Sequence, residues 1–208
     1  RMFSFNNPYG ACEKCTGLGT FLKVDPDLVI PNKRLTIREG AIRASGWYYA
    51  EGGIAQMYYE GLAEHYHFSL DVPVGKLPKE AIEVLLYGSK GEKILMHRES
   101  GTTRGSYYTE FEGIVNNLER RFRETNSSWM REEITNWMNS VECPVCHGDR
   151  LNKTVLAVTV GGLNISQFCK MSVVQALEFL DHLELTPKER MISELVIKEI
   201  RERLEGAA

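Results

Sequence analysis

Two CxxC motifs, far apart along the chain, limit its possible folds more than any other feature. Cys12 and Cys15 lie near the start of the 208 residues, and Cys143 and Cys146 lie beyond the middle. A CxxC in a tight loop holds two thiolates about one tetrahedral edge apart, so two such loops can enclose one Zn²⁺. Residues 16–142 separate the motifs, whereas a compact zinc ribbon has roughly 15–20 residues there. The spacing predicts one metal site that joins both ends of an inserted domain.

The four cysteines predict a structural ion and no catalytic residue. Soft thiolates in a tetrahedral arrangement favour zinc, although iron–sulfur clusters also use cysteine. Four thiolates leave no open coordination position. Gly17, Gly19 and Gly148 follow the motifs, and Arg150 stands where the first motif has Gly19. Such glycines let backbone amides turn toward the sulfurs.

Other interpretations of the cysteines have less support. A redox pair of the thioredoxin kind is disfavoured because neither CxxC follows a strand and opens a helix. His147 adjoins the second motif and is expected to be a solvated loop residue. The fifth cysteine, Cys169, is expected to be a small buried hydrophobe.

Composition excludes several classes of function. With 43% hydrophobic residues, a net charge of −3 and a pI near 6.0, the chain offers no broad attraction to nucleic acid or to an anionic membrane. Any DNA contact must therefore come from a local patch. No apolar run approaches the roughly 18 residues of a membrane helix, and the start lacks a signal layout. We expect a cytoplasmic protein with no membrane partner.

The pattern of apolar and turn residues predicts an α+β fold. In it, a zinc-knuckle base of two CxxC loops carries an inserted domain of helices and a hairpin, followed by a strand and C-terminal helices. The hairpin strands, 93–97 and 107–111, flank a long loop with a mobile tip. Ser127 or Ser128 caps the helix over 128–138, and Ser172 caps one that runs to Leu180. Further predicted strands are 20–24 and 154–160, and further predicted helices are 54–66, 78–87, 111–124 and one starting at Pro187.

Several motifs occur in the order found in one known family. They are Phe3 to Gly19 around the first CxxC, then Phe111–Val115, Asn117–Arg121 and Arg131–Glu133, and finally Cys143–Leu151, Val158–Val160 and Met171–Val173. On these residues the chain resembles the UvrA family of the excinuclease ABC system. The resemblance runs essentially from end to end.

The resemblance implies a piece of a longer repair protein. The family's parent protein is a dimeric ABC-type ATPase that scans for damaged DNA and passes the lesion to UvrB. Residues 1–27 and 141–208 would belong to its first signature domain, and residues 28–140 to its insertion domain. No GxxxxGK[ST] loop and no LSGG-type signature occurs in the chain. We therefore expect no catalysis by this piece, ATP only in the full-length parent, and UvrB docking outside it.

Basic residues of the inserted domain are the candidates for weak contact with double-stranded DNA, without sequence preference. The exposed aromatics Trp47, Tyr48 and Tyr107 would stack or wedge. A competing interpretation is a salt-bridged solvated face, because Glu119, Glu124, Glu132 and Glu133 interleave with the arginines. The candidates are Arg98, Arg104, Arg120, Arg121, Arg123 and Arg131, with Lys90 and Lys93 beside the hairpin.

Other functions remain open at this point. A UvrA-like paralogue for drug self-resistance would share the fold and the zinc. A DnaJ-like chaperone zinc domain also has CxxCxGxG knuckles and binds peptide, but it has four of them close together. A catalytic metalloenzyme is disfavoured because no HExxH occurs.

Overall fold

The computed structural model of the chain describes residues 2–100 and 103–207, with the side chains of 99, 100, 103 and 104 left out. It divides into two compact units. Unit 1 comprises Arg1–Phe21 and Glu142–Ala208, and unit 2 comprises Leu22–Val141. Unit 2 is therefore an insertion in the sequence of unit 1. Its assignment to a named domain stays a prediction.

The mixture of helices and small sheets confirms the predicted α+β class. Over the described residues, no helix is long and apolar enough to cross a membrane. The strands are β1 (Thr20–Val24), β2 (Lys93–Ser100), β3 (Thr103–Glu110), β4 (Met138–Glu142), β5 (Thr159–Val160) and β6 (Leu163–Asn164). The helices are α1 (Pro26–Val29), α2 (Ile54–His65), α3 (Lys79–Tyr87), α4 (Ile114–Glu124), α5 (Ser128–Thr135), α6 (Lys153–Leu156), α7 (Ile165–Cys169), α8 (Val173–Asp181) and α9 (Pro187–Glu205).

Unit 2 is built around the antiparallel hairpin of β2 and β3. The pairing runs from Lys93 with Glu110 to Ser100 with Thr103. The strands are longer, and the connecting loop shorter, than the sequence predicted. The expected mobile tip, residues 101 and 102, lies outside the described residues. Helix α2 packs so closely on β2 that a Cβ added at Gly61 would lie 2.4 Å from the Met96 sulfur.

The core of unit 2 is apolar, and the fully buried phenol of Tyr59 is hydrogen-bonded. Tyr59, Leu62, Ile94 and Met96 are fully buried between α2 and the hairpin. The Tyr59 hydroxyl donates to the carbonyl of Trp47 at 2.6 Å, which removes the cost of burying an unpaired polar group. Ser127 caps α5 by accepting a hydrogen bond from the Met130 amide, as predicted.

Unit 1 departs from the sequence prediction at residues 154–160 and at Cys169, and it contains β6 and α7, which were not predicted. The strand predicted over 154–160 is the short helix α6 followed by β5, because the Asn152 side chain accepts from the Val155 amide and caps a helical turn. Val155 is fully buried there. Cys169, expected to be buried, is exposed because it ends the five-residue helix α7. The predicted cap at Ser172 and the predicted start of the last helix at Pro187 are confirmed.

Two glycines allow α3 and α4 to meet within unit 2. Gly88 ends α3 and Gly113 precedes α4, and each has a φ of 90°. A Cβ on Gly113 would lie 2.4 Å from the Gly88 nitrogen, and a Cβ on Gly88 would lie 2.3 Å from the Phe111 carbonyl oxygen. The Ser89 amide donates to that same oxygen at 2.8 Å. Only glycine fits both positions.

We predict that Gly113→Ala destabilises the chain far more than Gly91→Ala. Both glycines have a positive φ, 90° and 94°, so alanine at either adds about 1–3 kcal/mol of backbone strain. Gly91 has no atom within 4 Å of an added Cβ, so only Gly113→Ala adds a clash, at about 1–3 kcal/mol more. Urea unfolding of the two variants measures the difference. An equal loss of unfolding free energy in the two variants would show that α3 and α4 do not approach each other as described.

Candidate metal centre and nucleic-acid interface

The two CxxC loops meet in unit 1. The sulfurs of Cys12, Cys15, Cys143 and Cys146 all lie within 4.8 Å of one another, and all four residues are buried. The Cys15 and Cys146 sulfurs are 3.6 Å apart. A tetrahedron with ~2.3 Å metal–sulfur bonds has edges of about 3.8 Å. The predicted Cys₄ arrangement is therefore present, with dimensions that suit one tetrahedral ion.

The two loops have matching backbone conformations. Thr16 and Gly17 follow the first motif with φ of 50° and 80°, and His147 and Gly148 follow the second with φ of 49° and 83°. Two residues further on, Arg150 has a φ of 67° where Gly19 has 80°. The departure from glycine at Arg150 therefore does not change the loop. The repeated turn explains how two distant segments present their sulfurs in the same way.

Backbone hydrogen bonds join the loops to each other and to a sulfur. The Cys12 amide donates to the Arg150 carbonyl at 2.9 Å, and the Cys143 amide donates to the Gly19 carbonyl at 2.8 Å. The Gly19 amide donates to the Cys15 sulfur at 3.1 Å. Such donors stabilise a thiolate in a metal site. The loops are thus held in register by contacts that an ion would reinforce.

Arg150 adds a second link between the loops. Its Nε donates to the Gly17 carbonyl at 2.7 Å, and its guanidinium lies 3.4 Å from the centroid of the Phe5 ring. A cation stacked on an aromatic face in a part-buried site is attractive. Arg150 therefore supports the shape of the first loop from the second.

The buried thiols of the cluster differ in their pKa values. Burial raises the pKa of the Cys15 thiol, but the Gly19 amide and the neighbouring sulfurs outweigh it and lower the pKa to about 7. Burial raises the pKa of the Cys146 thiol to about 12. Four buried thiolates this close would repel one another strongly without a cation. His147 is exposed, with its Nδ1 3.3 Å from the Glu142 carboxylate, which suits a solvated loop residue.

Three of the predicted DNA-contacting arginines have internal partners. Arg120 forms ion pairs with Glu112 at 2.6 Å and with Glu124 at 3.0 Å, and hydrogen bonding to Arg120 lowers the pKa of the Glu112 carboxyl. Arg120 therefore fits the competing interpretation, in which the arginines form a salt-bridged, solvated face. Arg121 donates to the Ser45 carbonyl at 3.0 Å. Arg131 donates to the Thr125 carbonyl at 2.8 Å and lies over the Phe122 ring.

The remaining candidates differ in what surrounds them. Arg123 is exposed and forms no salt bridge with the described side chains. Arg98 is exposed and lines a cleft of unit 2, while the side chain of Arg104 lies outside the described residues. Among the lysines, Lys90 pairs with Glu83 at 3.2 Å. Trp47, expected to be exposed, is buried because it packs on the rings of Tyr58, Tyr59 and Phe111.

Sequence reasoning predicted the exposed Tyr48 but missed its partner, Arg43. The Arg43 guanidinium lies 5.8 Å from the centroid of the Tyr48 ring, and both side chains are exposed. Arg43 forms no salt bridge with the described side chains. The loop that carries both residues is held to α4 by the bond from Arg121 to the Ser45 carbonyl. No periodicity in this segment marks it, so only the folded loop brings the pair together.

Comparison with known proteins decides the family. The family model described as the UvrA DNA-binding domain matches residues 25–136, which is more than half of the chain. The chain belongs to this family. UvrABC system protein A of Clostridium perfringens is 44% identical over 98% of the chain, which spans 22% of that relative. The Bacillus subtilis protein of the same name is 42% identical over 98% of the chain, which spans 21% of it.

A solved structure supports the same family. The crystal structure of UvrA2 from Deinococcus radiodurans matches 98% of the chain with a TM-score of 0.62 and 28% identity, and the chain covers 26% of it. The chain thus spans about a fifth of the length of the curated UvrA relatives. The resemblance predicted from the motifs is confirmed.

We predict that Cys143→Ser removes most of the bound metal from the purified chain, whereas Cys169→Ser leaves it unchanged. A hydroxyl at position 143 deprives the ion of one of four thiolates, while Cys169 is exposed and outside the cluster. Metal content per chain by plasma mass spectrometry measures both. If the two variants hold equal amounts of metal, the cluster is not the binding site.

Proposed function

We propose that this chain is a zinc-stabilised, DNA-contacting piece of a UvrA protein of nucleotide excision repair, and that it catalyses no reaction itself. The match of the UvrA DNA-binding domain to residues 25–136 carries the proposal. Under it, residues 28–140 form the insertion domain. Residues 1–27 and 141–208 belong to the first signature domain, which contains the metal site.

Zinc is the ion we propose for the four cysteines. The donor set is entirely sulfur, and the 3.6 Å separation of two sulfurs is close to a tetrahedral edge. Soft donors in this geometry favour zinc over the oxygen-seeking cations. With all four positions filled by Cys12, Cys15, Cys143 and Cys146, the ion would be structural. Its binding free energy would then contribute directly to folding.

Double-stranded DNA is the proposed partner, bound weakly and without sequence preference. Unit 2 has no excess of basic residues, so attraction comes from single exposed guanidiniums and not from a broad field. Arg43 and Arg123 are the best candidates because neither forms a salt bridge with a described side chain. Arginines in such positions contact phosphates, which fix orientation but carry no sequence information.

The activities of the longer protein would lie outside this piece. The chain holds no GxxxxGK[ST] loop, so ATP binding is proposed for the full-length parent only. We also propose that the parent is a cytoplasmic homodimer. It would bind UvrB through a region that this chain lacks.

The repair function is favoured over a drug-resistance paralogue. The relatives named UvrABC system protein A are 44% and 42% identical over 98% of the chain. A DnaJ-like peptide-binding domain has no support from these matches. Complementation of an ultraviolet-sensitive strain by the full-length parent tests the choice, and failure to restore survival would favour the paralogue.

We predict that changing both Arg43 and Arg123 to Ala lowers the affinity for a random duplex several-fold. The slope of log affinity against log salt should also fall by about 0.9 for each phosphate that the protein no longer neutralises. Filter-binding titrations at several salt concentrations measure both quantities.

Lys33→Ala is the matched control for this experiment. Lys33 is also an exposed cation of unit 2, but it is paired with Asp27 at 2.9 Å, so its loss should change neither quantity. Arg120→Ala should have a smaller effect than the double variant, because Arg120 is held by two carboxylates. An unchanged salt slope in the double variant would remove Arg43 and Arg123 from the DNA interface.

A further inference from the structure

Unit 2 contains a cleft that no step of the proposed duplex binding uses. Its volume is about 760 Å³, and it lies between residues 49–53, the start of α2 and the β2–β3 hairpin. Ligand sites in proteins usually have volumes of about 300–1,000 Å³. Its lining includes the side chains of Arg38, Tyr49, Gln56, Tyr58, Arg98 and Tyr107.

Aromatic rings line the cleft and are held in place by their neighbours. The Tyr58 ring packs on Trp47 and Phe111, with centroids 5.8 and 5.4 Å away. The Tyr107 hydroxyl reaches the Met57 sulfur at 3.6 Å, yet 42% of this residue remains exposed. A flat ligand could therefore stack here without displacing the core.

Cationic and amide donors share the cleft with the rings. Arg38 lies 5.3 Å from the centroid of the Tyr49 ring and is already paired with Asp71 at 3.1 Å and with Glu60 at 4.0 Å, so the cation offered to a phosphate is Arg98. Arg98 lies two residues beyond Met96 on the same strand, so the two side chains share a face of the hairpin. Gly53 precedes α2 and provides no side-chain cap, which leaves first-turn amides available to an anion.

Hydrogen-bond acceptors also line the cleft. Gln56 accepts from the Gly52 amide and donates to Glu60, both at 2.7 Å. The carboxylates of Glu51 and Glu60 also line the cleft. Rings, cationic donors and acceptors together match a nucleotide, which has a stacking base, an anionic phosphate and amino groups on its edge.

We propose that this cleft binds an unpaired nucleotide of a DNA strand. A base inside a duplex cannot reach such a pocket, whereas an unpaired base enters it at a small unstacking cost. Unit 2 therefore prefers a duplex with an extrahelical base to a fully paired one. The inference rests on the proposed function, because the DNA contact brings the strand to the cleft.

The test compares two tyrosines that are neighbours on β3. Tyr107 lines the cleft, and Tyr108 points to the opposite face of the hairpin and is 68% exposed. The whole chain is titrated with a duplex carrying one bulged 2-aminopurine, with the same duplex fully paired, and with free 2-aminopurine nucleotide. Tyr107→Leu should lower the affinity for the bulged duplex about tenfold and abolish quenching of the bulged base. Tyr108→Leu should change neither, and Tyr107→Phe should retain both.

The outcomes separate this inference from the proposed function. Equal affinity of the unchanged chain for bulged and paired duplexes would overturn the cleft proposal but leave duplex binding intact. Equal effects of Tyr107→Leu and Tyr108→Leu would also overturn it, as would tight binding of the free nucleotide without preference for the bulge. If the unchanged chain binds neither the bulged nor the paired duplex, the proposed function itself is wrong. Thermal unfolding of each variant confirms that the compared chains are folded.

Discussion

The contact among four cysteine sulfurs is the constraint on which the rest of the structure depends. It brings residues 12 and 15 against residues 143 and 146, and so closes the stretch of chain that contains unit 2. Closing a loop this long costs conformational entropy, which the hydrogen bonds between the two small loops and the bond from the Asp25 amide to the Trp137 carbonyl help to offset. An ion held by four thiolates adds a large favourable free energy. The matching positive-φ turns after the two motifs present both pairs of sulfurs in the same way.

The arginines of unit 2 divide by what they already bind. Arg120, Arg121 and Arg131 are engaged by carboxylates or backbone carbonyls, so moving them onto DNA would break contacts within the protein. Arg43 instead lies on the Tyr48 ring and stays exposed. An acidic chain can therefore contact a polyanion through a few unpaired cations, with weak affinity that depends on salt. Under our proposal, the polar, aromatic cleft also makes the chain prefer a duplex that contains an unpaired nucleotide.

The sequence was informative wherever a local rule decides the structure. Ser127, Ser172 and Pro187 mark helix starts because capping and fixed φ act within one turn. The two cysteine pairs predicted the cluster of four sulfurs correctly because metal ligation requires particular side chains at particular spacings. Over residues 154–160 the β-branched pattern was wrongly interpreted as a strand, because the local cap signal of Asn152, which with the burial of Val155 gives a helical turn, was overlooked. The burial of Trp47, the exposure of Cys169 and the Arg43–Tyr48 pair depend on tertiary packing, which no short pattern encodes.

X-ray absorption at the metal edge of the purified, unmodified chain addresses the Cys₄ centre itself. We expect zinc with four sulfur neighbours at ~2.3 Å and no nitrogen or oxygen ligand. A first shell with fewer than four sulfurs, or one containing histidine nitrogen, would contradict this expectation. So would a metal-free chain whose four cysteines are paired in disulfides while the fold persists.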